Sequence, residues 1–110
     1  MQTLSPLESK VDTWEGQILR ILLDKHCLSI LNMIKENAMT ASNICSCCNI
    51  SMSVAYRKLK LLKKFNLLRS TYVIQSDGKK LMLFQSKNIR INIVLRENQL
   101  QVHTNFMPSE

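Results

Sequence analysis

The sequence predicts an α+β fold: about four helices, then a β-hairpin wing and an additional C-terminal β-hairpin. Three observations carry this expectation. Apolar residues recur at helical spacing through four successive segments between positions 12 and 65. Asp77-Gly78, the strongest short hairpin signal, separates two β-rich runs at 70–76 and 79–86. The run 89–95, Ile-Arg-Ile-Asn-Ile-Val-Leu, then alternates apolar and polar residues with the period of a strand.

Each element has its own local signals. Asp12 can cap a first helix, with Glu15 three residues on as in a capping box, and Trp14, Ile18, Ile21 and Leu22 supply its apolar face. Gly16 weakens this helix slightly. Asp24 caps a second helix over 25–36, where Cys27, Ile30, Leu31 and Ile34 face the core and Asn37 offers a left-handed stop. Thr40 or Ser42 opens a short third helix with Ile44, Cys45 and Cys48 on its buried side. Asn49-Ile50-Ser51 makes a tight turn: Asn49 tolerates a left-handed backbone, Ile50 plugs inward and Ser51 caps the fourth helix, 52–65. Ala55, Leu59 and Leu62 repeat at i, i+4, i+7 along that helix, and Asn66 ends it. Segments three and four together make a helix-turn-helix over 40–66.

In the wing, 69–86, a two-residue Asp77-Gly78 loop would pair Tyr72 with Leu83 and Ile74 with Leu81 on one face, leaving Val73 and Met82 on the other. In the extra hairpin, 88–104, a turn near Glu97-Asn98 would set Leu95 against Leu100 and Ile93 against Val102. The expected organisation is a single winged-helix domain over 12–104, with flexible ends at 1–11 and 105–110.

Bulk composition narrows the class. With 45% apolar and 5% aromatic residues in 110, the core should be aliphatic. No apolar run approaches the roughly 18 residues that span a bilayer, and the first ten residues lack the pattern of a secretory signal. The expectation is a soluble, cytoplasmic protein without membrane contact. Three of the four cysteines crowd into Cys45-Ser-Cys47-Cys48, a spacing unlike a disulfide framework, and reduced thiols are expected. With glycine only at 16 and 78, there is no Gly-rich phosphate loop, and no carboxylate pair or nucleophile motif stands out. An enzyme, a cofactor and a small-molecule substrate are therefore not expected.

Charge is the most informative quantity. The chain carries +7, and residues 52–80 alone hold Arg57, Lys58, Lys60, Lys63, Lys64, Arg69, Lys79 and Lys80 against a single acid, Asp77. A local basic face suits a polyanion. On the fourth helix, Ser53, Tyr56, Arg57, Lys60 and Lys64 lie opposite the apolar stripe, the kind of polar stripe that enters the major groove of duplex DNA. Ser76, Lys79 and Lys80 at the wing tip suit phosphate. Double-stranded DNA is the expected partner.

The order helix, helix, helix-turn-helix, wing resembles that of the ArsR-like winged-helix regulators, in particular the small archaeal type. The resemblance runs from about Ile18 to Ser86 and rests on LLDKHCLSILNMI, SNICSCCNIS and VAYRKLKLLKKFNLL, with Asn66 where the family usually has glycine. It implies a homodimeric transcription factor on a pseudo-palindromic site. It carries base reading to Ser53, Tyr56 and Arg57, and phosphate contact to Lys60, Lys79 and Lys80. Metal-sensing relatives place a Cys-x-Cys box earlier than the cysteines here, so Cys45, Cys47 and Cys48 inherit no metal role from them. Two alternatives stay open from the residues: a protein–protein adaptor docking through the 89–102 hairpin, and a DNA reader responsive to thiol chemistry or metal through Cys45, Cys47 and Cys48.

Overall fold

Each helix pairs one apolar stripe with a polar residue that caps its start. In the computed structural model, which describes residues 13–105, α1 spans Trp14–Leu23, α2 Lys25–Met33, α3 Ala41–Cys48 and α4 Met52–Lys64. Two antiparallel hairpins follow, β1 (Leu68–Ile74) with β2 (Lys80–Ser86) and β3 (Ile91–Arg96) with β4 (Gln99–Thr104), as separate two-stranded sheets. This is the expected α+β, winged helix-turn-helix order.

Three expected caps are in place. Asp24 accepts from the His26 and Cys27 N–H groups at 2.9 and 3.0 Å, Thr40 from Asn43 at 3.1 Å, and Ser51 from Val54 at 3.2 Å. Such a cap contributes about 1 kcal/mol. Asp12 lies outside the described residues; Thr13 occupies the α1 cap position and accepts from the Gly16 N–H at 3.1 Å. Asn49 (φ 57°) and Asn66 (φ 64°) take the left-handed conformation expected of them.

The second helix is shorter than its sequence pattern predicts, ending at Met33 with Ile34 as its cap. The Ile34 carbonyl accepts the Ser86 N–H at 3.1 Å, and the Leu31 carbonyl accepts the Ser86 hydroxyl at 2.6 Å. The end of β2 thereby takes the acceptors a longer helix would use. Asn37, the expected left-handed stop, keeps a negative φ.

The core is aliphatic. Ile18, Ile30, Ile34, Ile44, Leu59, Leu62, Leu67 and Leu68 are buried, with Cys27 and Phe84 beside them. Phe84 carries the wing root into this core, and its backbone exchanges two hydrogen bonds with Met39 at 3.0 and 2.8 Å.

The wing register differs by one residue from the expected pairing. Tyr72 faces Met82, Val73 faces Leu81 and Ile74 faces Lys80. Gln75 accepts from the Gly78 N–H at 2.9 Å and donates to the Lys79 carbonyl at 2.8 Å, so the loop has three residues, 76–78, rather than two. Gly78 at φ 83° makes the left-handed step that closes such a loop. A Cβ at Gly78 would meet no atom within 4 Å, leaving only backbone strain. Gly78→Ala is therefore expected to lower stability by about 1 kcal/mol in urea unfolding, and Gly78→Asn by less.

The second hairpin has the expected register, Leu95 with Leu100 and Ile93 with Val102. Glu97 (φ 52°) and Asn98 (φ 62°) are both left-handed, the signature of a type I′ turn. Asn105, placed by its sequence in a flexible end, closes the base of this hairpin instead. Its side chain accepts from the Arg90 N–H at 2.8 Å and donates to the Asn88 carbonyl at 3.2 Å.

Candidate nucleic-acid interface

Helix α4 is held by one face and bare on the other. Ala55, Leu59 and Leu62 are buried, whereas Ser53, Tyr56, Arg57, Lys60 and Lys64 are all exposed. Its start is set by the Asn49 turn and the Ser51 cap, whose hydroxyl lies 3.2 Å from that of Ser53. Arg57, Lys60 and Lys64 border one shallow depression of about 280 Å³ floored by Leu61. Lys64 also lies 5.9 Å from the centroid of the Phe65 ring, which leaves its ammonium at the surface.

The structure sorts the basic residues of 52–80 into two groups. Lys58 bonds to Asp24 at 2.5 Å, with side chains only 17% and 28% exposed, and so fixes α4 to the α1–α2 junction. The Lys58 ammonium is the chief reason the Asp24 carboxyl is lowered from 3.8 to about 2, with the His26 and Cys27 amides adding to it against desolvation. Lys63 donates to the Ser70 hydroxyl at 2.8 Å and so ties the end of α4 to β1. Arg57, Lys60, Lys64, Arg69, Lys79 and Lys80 are exposed, as is Lys63 despite its bond to Ser70. The Lys58 partnership has no local sequence signature, since Asp24 lies 34 residues away.

Residues 71–80 of the wing are exposed throughout. Lys79 and Lys80 lie at its tip, where Lys80 approaches the Tyr72 ring at 5.6 Å. The lone acid of the unit, Asp77, accepts the Lys79 N–H at 2.9 Å and serves the turn. Ser76, Lys79 and Lys80 thus form a solvated basic tip.

The cysteines fall differently from expectation in one respect. Cys48 is half-buried against the core, but Cys45 is half-buried outside it, its thiol 3.1 Å from the Met52 sulfur. The short α3 turns Cys45 toward the start of α4 rather than inward. Burial pushes the Cys27 thiol up to about 11, and burial also raises Cys48, so the thiolate is disfavoured at both. Cys47 is exposed. Among the described residues, no group of three or more His, Cys, Asp or Glu is arranged to hold a metal ion.

Residues 22–71, from the end of α1 into β1, match a family described as a helix-turn-helix domain. A comparison with curated proteins finds no match. The fold is that of a winged helix-turn-helix protein. No helix among the described residues is long and apolar enough to cross a membrane.

Proposed function

We propose that the protein is a sequence-specific regulator of transcription that binds double-stranded DNA as a homodimer. One observation carries this reading: the exposed face of α4 and the wing tip are basic together, while Lys58 and Lys63 are drawn aside into intramolecular contacts. In this reading α4 lies in the major groove. Arg57 grips guanine through its two parallel donors, and Ser53 and Tyr56 add hydroxyl contacts to base edges. Lys60, Lys64, Lys79 and Lys80 neutralise phosphates, each adding about 0.9 to the negative log–log salt slope. Pairing two copies on a two-fold site doubles these contacts and sets the half-site spacing. The helix-turn-helix match supports the DNA-binding class of this reading.

The division of labour is testable by fluorescence anisotropy against a library of short duplexes at two salt concentrations. A selected site should bind about a thousandfold tighter than random DNA. Arg57→Ala should lose about 1–3 kcal/mol of discrimination between cognate and mismatched sites, whereas Lys79→Ala should weaken all duplexes alike. Equal losses on specific and random DNA for both variants would refute the assignment. Uniform affinity across the library would refute sequence reading altogether.

A second reading, a protein–protein adaptor, draws on β3, where Ile93 and Leu95 are 49% and 71% exposed. It predicts only weak, steeply salt-dependent binding to any duplex.

A further inference from the structure

A cleft of about 460 Å³ opens where the segment leaving the wing crosses α2, and none of its lining residues comes from α4. That volume lies within the range of small-molecule sites, about 300–1,000 Å³. Its apolar part comes from Leu22, Leu28, Leu31 and Ile89, with Leu28 42% exposed. Its charged part is predominantly positive: Lys35, Arg69 and Lys87 against the single acid Glu36. Lys87 is already engaged, donating to Asn66, while Lys35 and Arg69 stand exposed at the rim.

The wall is preformed. Ser86 is bonded to the Leu31 and Ile34 carbonyls, and the Lys87 N–H to the Leu67 carbonyl at 3.1 Å. A ligand entering therefore meets a segment already ordered, and loses little affinity to organising it. Arg69 and Gln85 line the cleft and are directly paired across β1 and β2, so an occupant would touch both strands at the wing root.

We propose that this cleft binds a small organic anion, a carboxylate on an aliphatic body. The body would cover Leu22, Leu28 and Ile89, and the carboxylate would meet the Arg69 guanidinium, whose planar donors match it bidentately, with Lys35 adding charge. Neither half of the cleft suffices alone. Aliphatic surface without the cations would take a neutral lipid, and the cations without it would take any exposed anion.

The test is a ¹⁵N-¹H NMR titration of the full chain with sodium decanoate below its micelle concentration. Saturable shifts centred on Leu28, Leu31, Gln85 and Ile89 are expected, with a Kd on the order of 0.1 mM. Decanol, which keeps the chain without the charge, and acetate, which keeps the charge without the chain, should each bind at least about tenfold more weakly. Arg69→Gln should weaken decanoate by about tenfold. Lys25→Gln, an equal change of charge on the exposed start of α2, should leave it unaltered. Arg69 is exposed, so that variant keeps the fold, as an unchanged amide spectrum would verify. Decanol matching decanoate, indifference to Arg69→Gln, shifts centred on α4, or no saturation would each overturn the proposal.

Discussion

Replacing Asp24 by alanine is expected to lower the unfolding free energy by about 2–4 kcal/mol at neutral pH. One carboxylate does two tasks here. It accepts the His26 and Cys27 N–H groups that α2 leaves open, and it holds Lys58 of α4 at 2.5 Å. Alanine removes the cap and leaves a largely covered ammonium without its partner. Asp24→Asn keeps a competent cap but loses the charge, and should cost about half as much. The same carboxylate leaves a signature in acid. Folding lowers it from 3.8 to about 2, so its contribution is present in full above the unfolded value and is lost as pH falls through about 2. With the side chain 28% exposed to screening solvent, that contribution is about 1–2 kcal/mol. Urea unfolding of wild type and Asp24→Asn at pH 7 and at pH values down to 2 measures it. Parallel losses in the two proteins would show that Asp24 is not the group responsible.

Leu62→Ala should have the largest effect of any single truncation on α4, about 2–5 kcal/mol. Leu62 has no exposed surface, and the core cluster it belongs to draws residues from α1, α2, α3, α4 and the wing root. A collapse onto the resulting cavity would require moving α4, which the Ser51 cap and the Lys58 bond resist. At its upper end the loss reaches the lower end of the stability of a typical small domain, about 5–15 kcal/mol. A circular-dichroism melt at constant protein concentration should show a large fall in Tm. A change under 1 kcal/mol would mean that this helix is not anchored as described.

What could be read from sequence follows the range of the interaction concerned. Caps, left-handed asparagines and buried stripes are decided within a few residues, and Asp24, Thr40, Ser51, Asn49, Asn66, Ala55, Leu59 and Leu62 all behave as their neighbours dictate. The Glu97-Asn98 turn likewise fixes its hairpin: Asn98 tolerates positive φ, and Glu97 takes φ 52° beside it as the two-residue turn requires. The wing register was less legible: Asp77-Gly78 fits a two-residue loop and a three-residue loop, and only the Gln75–Lys79 pairing decides between them. The early end of α2 depends on Ser86, far along the chain, as the Lys58 contact depends on Asp24. Lys58 nonetheless carried a partial clue. It is three residues from Ala55 and four from Leu62, at the edge of the buried stripe, where an ammonium needs a partner. The basic faces of α4 and the wing tip were legible because charge and helical period appear directly in the residues.

The Met39–Phe84 bridge divides the wing into two dynamic regimes. On the core side of the bridge, backbone amides open to solvent only when Phe84 leaves the core, so their hydrogen exchange should approach the rate set by global unfolding. Beyond it, residues 71–80 are exposed and held only by their own ladder, so local fraying suffices to release them. Protection should therefore fall in a graded way from Phe84 toward Gly78, giving a stiff root and a compliant tip. A wing built this way can flex at its tip without disturbing the helices behind it.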